Sequence, residues 1–283
     1  MLKILVTGAT GNVGQEVLRL LLSHDCNVCA AVRNPKSAKQ ILGSNIQSVP
    51  FDFNNPDTFA HAFEKVNKLF LVRPPALANV RKQIAPALDA AKLAGVEHIV
   101  FLSILGAERN PFVPHSKIEG YIEQLGIPAT FLRGSFFMQN LNTTHLEDIK
   151  TRGELLMPAG NGKTSFIDVR DIAAVAVRTL IEDGHQSRAY ALTGAEALTY
   201  YEVADIFTSV LGKRVRYNPY ALKFVRQMRL SGLPMDFVLV MVAIYTTARL
   251  GLAGNITSDT EQLLNRSPLT IRQYVEDYRH FWL

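Results

Sequence analysis

Eight consecutive residues, Thr7-Gly8-Ala9-Thr10-Gly11-Asn12-Val13-Gly14, restrict this chain more than any other part of it. They follow a strand-length apolar run, Leu2-Lys3-Ile4-Leu5-Val6, and precede Gln15–Leu22, whose apolar residues recur at helical spacing. Strand, glycine-rich turn and helix is the context in which a glycine pattern reads as a dinucleotide site. Glycine lets the backbone turn tightly and approach a pyrophosphate, while the start of a helix offers free N–H groups and a positive dipole end. Cofactor contacts are therefore expected from Gly8, Thr10, Gly11, Asn12, Val13 and Gly14.

Through the first half of the chain, apolar strand candidates at 2–6, 27–32, 46–49, 68–72, 97–102 and 128–132 alternate with helical stretches near 12–23, 35–42, 56–65, 77–94 and 115–125. That rhythm predicts an α/β fold, a doubly wound parallel sheet of the Rossmann kind covered by helices on both faces. Beyond about residue 134 the pattern changes, with a turn-rich stretch through Gly153, Pro158, Gly160 and Gly162. The expected organisation is a dinucleotide-binding domain over 1–133, with a contribution from about 164–182. The remainder, mainly 134–283, is expected to form a smaller α/β substrate lobe closing over the cofactor face.

At 283 residues and 48% hydrophobic content the chain can bury a sizeable core. It opens directly on a strand, so no targeting segment is expected ahead of it. The longest apolar run, Phe237–Tyr245, falls well short of the roughly 20 residues a bilayer span needs and reads as a buried helix. These features point to a cytoplasmic protein without a membrane partner. Cys26 and Cys29 have C-x-x-C spacing, but residues three apart on a strand face opposite sides. Two reduced thiols are expected, not a redox or metal pair. The seven histidines are scattered, so no metal site is expected. A net charge of +5 raises the question of nucleic acid. The one basic concentration, Lys213, Arg214, Arg216, Lys223, Arg226 and Arg229, reads as a solvated edge, and nucleic acid is not expected as a partner.

The segment after the second strand, Arg33-Asn34-Pro35-Lys36, lacks the carboxylate that binds the adenosine ribose in NAD-selective sites. A carboxylate would repel a 2′-phosphate, whereas an arginine fork holds one. NADPH is thus favoured over NADH, with Arg33 reading the phosphate.

The spacing of Gly8, Gly11 and Gly14 resembles the short-chain dehydrogenase/reductase superfamily, whose extended and atypical members begin T-G-A-T-G-x-x-G. In extended members an Asp and an apolar residue after the third strand contact the adenine, which implies this role for Asp52 and Phe53. Arg73, after the fourth strand, lies at the cofactor-facing end of the sheet and is a further expected contact. Most of the superfamily uses Tyr-x-x-x-Lys, the lysine lowering the phenol's pKa. None of the nine tyrosines here has lysine four residues later. If Lys117 is the motif lysine, Val113 stands where tyrosine is expected.

That departure, with Lys117-Ile118-Glu119, then Gly126-Ile127-Pro128-Ala129-Thr130-Phe131-Leu132-Arg133, Phe136-Phe137-Met138-Gln139-Asn140 and Ser165–Ala173, resembles the NmrA-like branch of atypical short-chain reductases. The branch contains NADPH:quinone reductases, dye reductases and redox-sensing regulators that bind dinucleotide without catalysis. The resemblance implies reduction of a small quinone-like or conjugated aromatic substrate. It assigns Lys117 to the nicotinamide ribose. By position and residue type, His115 at a helix start and Ser103 at the end of a central strand join Lys117 as candidate catalytic groups, and Phe136 and Phe137 are expected to wall a flat pocket. The alternative is a silent sensor acting through a protein partner.

Overall fold

A computed structural model describes residues 1–283. In chain order its strands are β1 (Lys3–Val6), β2 (Asn27–Val32), β3 (Gln47–Pro50), β4 (Lys68–Leu71), β5 (His98–Ile104), β6 (Ala129–Gly134), β7 (Phe136–Phe137), β8 (Glu154–Leu156), β9 (Lys163–Ile167), β10 (Arg188–Leu192), β11 (Ala197–Thr199) and β12 (Arg216–Asn218). The helices are α1 (Asn12–Leu21), α2 (Pro35–Leu42), α3 (Phe59–Ala62), α4 (Ala85–Leu93), α5 (Pro114–Leu125), α6 (Leu146–Arg152), α7 (Val169–Ile181), α8 (Tyr200–Leu211), α9 (Ala221–Leu230), α10 (Met235–Arg249), α11 (Asp259–Leu264) and α12 (Ile271–Tyr278). No helix is long and apolar enough to cross a membrane.

Two units divide the chain. The first comprises Met1–Gly134, Val169–Leu192 and Gln262–Leu264. Its sheet has the order β10-β6-β5-β4-β1-β2-β3, and every pairing is parallel. Successive strand residues point to opposite faces, and here both faces are covered. Leu5, Leu69, Ile99 and Phe101 join a core with Ile84, Leu88, Ile118 and Ile122 of the segments around α4 and α5. On the strands' alternate positions, Ile4, Val6, Phe70 and Val100 are equally buried, and α1 and α7 pack together beside them. Burial on both sides is why these strands read as near-continuous apolar runs. The doubly wound parallel sheet expected from the sequence is present.

β10, the seventh strand, belongs to this sheet and pairs with β6 from Arg188↔Thr130 to Leu192↔Gly134. It was not expected, because an edge strand half open to solvent needs little apolar patterning. The stretch 164–182 is shared: β9 belongs to the second unit, and α7 to the first.

The second, smaller unit comprises Ser135–Asp168, Thr193–Glu261 and Asn265–Leu283. It holds a three-stranded sheet, β11-β9-β7, and a two-stranded parallel pair, β12-β8. Its core is rich in rings, with Phe166, Tyr200, Phe207, Phe224, Tyr274 and Trp282 essentially buried. α8 and α12 begin with full capping boxes, Thr199 with Glu202 and Thr270 with Gln273. One expectation fails here. The run Phe237–Tyr245 does form a helix, α10, but only Val238, Met241, Tyr245 and Ala248 are buried. Phe237, Leu239, Val240 and Ile244 are exposed, because the unit is covered by one side of α10 only.

Candidate functional site

Parallel pairing brings the C-terminal ends of β1 to β5 to one edge of the sheet, so the segments that follow them share that edge. After β1, Gly8 turns with φ +60°, and a Cβ there would lie 2.8 Å from that of Val72. Gly14 packs so tightly that its Cβ would meet the Gly8 carbonyl oxygen at 2.2 Å. Only glycine permits both approaches. Thr7, buried beneath the turn, accepts from the Val72 N–H at 2.7 Å and so ties β1 to the end of β4.

The start of α1 stands open. Its N-cap is Gly11, with no side-chain cap and no acidic residue in the first turn. The first N–H groups, those of Asn12, Val13 and Gly14, therefore lack an intrahelical acceptor. Val13 buries its side chain, while Thr10 and Asn12 are exposed. Contrast α2, where Asn34 accepts from the Lys36 and Ser37 N–H groups. A bare helix start behind a tight glycine turn fits a phosphate group.

Arg33 is exposed immediately after β2 and forms no ion pair or hydrogen bond. Asp52, half-buried after β3, accepts from the Asn54 N–H at 2.9 Å. The Phe53 ring is buried, edge-on to Phe51 at 4.8 Å. Arg73 Nη1 donates to the carbonyls of Pro74, Pro75 and Leu77 at 2.9–3.0 Å. The prolines cannot continue a backbone ladder, so the guanidinium holds the loop they extend. Burial lowers the Arg73 pKa.

At the end of β5 lies a polar network that the sequence did not announce. Ser103, 1% exposed, donates to Glu119 Oε1 at 2.5 Å. Arg133 of β6 donates to the same carboxylate through Nε at 3.2 Å and Nη2 at 2.6 Å. Its Nη1 also faces Glu108 at 3.4 Å. The Glu119 hydrogen bond, followed by the neighbouring carboxylates, raises the Arg133 pKa against the effect of burial. Ser103 thus directs its proton to Glu119. The available signal was Glu119 itself, an acid beside buried Ile118 and Ile122 on one helix.

Because Glu119 pairs with Arg133, it leaves Lys117 alone. Lys117 is exposed in the first turn of α5 and has no partner. Val113 is the N-cap of that helix. His115 stacks on Phe101 with ring centres 6.1 Å apart. Burial, helped by the Arg73 charge, lowers its pKa to about 4. It is therefore neutral near pH 7, with Nδ1 buried and unpartnered. The edge offers a phosphate cradle, a free arginine and a free lysine, with no carboxylic or phenolic acid at the start of α5.

Phe136 and Phe137 belong to the second unit. Phe136 stands edge-on to Phe166 at 5.5 Å and tilted against Tyr245 at 5.9 Å, so it is half-buried against the aromatic core. Phe137 points the opposite way along the strand and is also half-buried. Cys26 and Cys29 are free, with thiol pKa values raised mainly by burial.

Known proteins of similar sequence or structure have names that bear on this geometry. The NAD(P)H azoreductase of Xenophilus azovorans is 34% identical over 278 residues, 96% of each chain. The triphenylmethane reductase of a Citrobacter species, solved with NADP(H), superposes with a TM-score of 0.85 at 28% identity, covering 97% of this chain and 99% of that one. The NADPH-dependent quinone oxidoreductase of Escherichia coli, solved with NADPH, gives a TM-score of 0.87 at 26% identity over 98% and 99% of the two chains. The profile of the NmrA-like family matches residues 2–271, and the chain belongs to that family.

Proposed function

We propose that this chain is an NADPH-dependent oxidoreductase that reduces quinone-like or conjugated aromatic acceptors. The observation that carries the reading is the start of α5, where Val113 precedes an exposed, unpaired Lys117 by four residues. The single phenol on that helix, Tyr121, donates to Asp89 at 2.7 Å. NADPH, when bound, supplies the hydride. The open N–H groups of α1 hold the pyrophosphate, with Gly8, Thr10, Gly11 and Gly14 shaping the cradle. Arg33 meets the 2′-phosphate, Asp52 lies toward the adenosine, and Lys117 donates to the nicotinamide ribose. Phe136 and Phe137 offer flat surface to an aromatic acceptor.

Chemistry selects among acceptors. An unactivated ketone needs an acid at its oxygen as hydride arrives. A quinone or a cationic dye accepts hydride readily and takes its proton from solvent, so positioning does most of what is required. The names of the azoreductase, dye reductase and quinone reductase relatives support the same acceptor class. Two free thiols favour the cytoplasm as its compartment.

The test is the consumption of NADPH against a panel of simple quinones, azo dyes, triphenylmethane dyes and unactivated ketones. Turnover with the first three classes and not with ketones is expected. Tight NADPH binding without turnover on any of them would move the protein to the redox-sensor reading.

A further inference from the structure

Two features of the sequence find no use in the dinucleotide unit: the basic stretch Lys213–Arg229 and the apolar run Phe237–Tyr245. The fold puts them side by side. α9 and α10 pack against each other, joined by the short turn Ser231–Pro234. α9 shows solvent a mixed face, with Leu222 at 88% and Leu230 at 72% exposure, interleaved at helical spacing with Lys223, Arg226 and Arg229. α10 adds Leu239 at 58%, Val240 at 54% and Ile244 at 50%, with Met235 and Phe237 beside them. A helix apolar around most of its circumference normally lies in a core. An exposed apolar face of this extent marks a surface that something covers.

Charge says what covers it. Between Asp205 and Asp259 the chain carries seven basic residues, Lys213, Arg214, Arg216, Lys223, Arg226, Arg229 and Arg249, against one acid, Asp236. Lys223 is paired with Glu154, while Arg226 has no ion pair, and Arg229 only caps the Leu233 carbonyl at 2.7 Å. A second copy docked about a two-fold axis would set this face against itself, cation against cation. An acidic protein segment answers the arginines but not the leucines. An anionic bilayer surface answers both, because lipid phosphates meet the cations while the acyl boundary takes the apolar side chains. α10 is about 22 Å long, short of the roughly 30 Å hydrocarbon core, so it lies along the surface.

We propose that the α9–α10 hairpin docks this protein on an anionic lipid surface, with Leu222, Leu239, Val240 and Ile244 entering the headgroup boundary and Arg226 and Arg229 meeting lipid phosphates. The proposal stands apart from the acceptor reading, and its test uses no turnover. Sedimentation of the full chain with phosphatidylglycerol/phosphatidylcholine vesicles is compared with sedimentation with pure phosphatidylcholine vesicles. Wild type is expected to partition onto the anionic vesicles and to be released by salt. Arg226→Glu with Arg229→Glu should weaken partitioning by at least about twenty-fivefold, from roughly fivefold per basic residue at such a surface. Leu239→Asp with Ile244→Asp, at exposed positions, should abolish it while leaving NADPH binding and the helical circular-dichroism signal intact. Absence of binding to anionic vesicles, equal binding to neutral ones, or indifference to both double variants overturns the proposal. A wild-type dimer in sedimentation velocity that Ile244→Asp dissociates assigns the face to a second copy instead.

Discussion

Arg33 stands free after β2, beside a helix start whose own cap, Asn34, is neutral. Nothing in the protein competes for its guanidinium, so under the proposed function a 2′-phosphate would gain a charge-assisted contact there. Arg33→Asp should weaken NADPH binding by about 1.5–3 kcal/mol and leave NADH binding nearly unchanged, as titration of each cofactor will show. An equal loss for both cofactors would mean that Arg33 supports the loop alone. The tight glycine turn and the exposed strand end were legible because they are local features. The contacts of Ser103 and Arg73 were not legible, for the opposite reason. Their partners, Glu119 in one case and the Pro74, Pro75 and Leu77 carbonyls in the other, become partners only through the fold or the loop's path.

Among the elements, α5 carries the most information. It presents Lys117 to the sheet edge while Glu119, two residues on, anchors its first turns to β5 and β6 through Ser103 and Arg133. Glu119→Ala strands a guanidinium whose side chain is 19% exposed and a buried hydroxyl. Breaking a buried pair costs about 3–5 kcal/mol. Partial exposure of Arg133 and its second contact with Glu108 reduce the expected loss to about 2–3 kcal/mol, measured by urea unfolding. Glu119→Gln keeps an acceptor for Ser103 and should lose less. If the two variants unfold at the same urea concentration, the hydroxyl contact contributes nothing. The strands β1 to β6 were legible to within two residues, since burial on both faces imposes a strong apolar pattern. α10 was legible as a helix but not as an exposed one. Its periodicity carries no polar face to mark where the core ends.

For the molecule as a whole, the two units share one electrostatic liability. His98 and His115 in the first unit and His145 in the second are held neutral, each with pKa lowered to about 4 from 6.5, chiefly by burial. His145 also contacts the buried Tyr245 hydroxyl through Nε2 at 2.6 Å. As pH falls, the unfolded chain binds these protons first, because its histidines titrate near 6.5. The stability held in the neutral imidazoles is therefore complete above about 6.5 and drains away as pH falls toward 4. The urea midpoint should drop steadily across that window, and a flat profile would show that the imidazoles accept protons without cost. The seventh strand and the division of 164–182 between units escaped the sequence, since both depend on which neighbours a segment finds. What the chain is proposed to do is move hydride from NADPH to an activated acceptor without a phenolic relay. The measurement closest to that claim mixes NADPH-loaded protein with a simple benzoquinone and follows the loss of NADPH absorbance in wild type and Lys117→Ala. The expected result is multiple turnovers in wild type, slowed at least about tenfold in the variant, the scale of one lost charge-assisted hydrogen bond. No turnover in wild type, or equal rates in the two proteins, would contradict it.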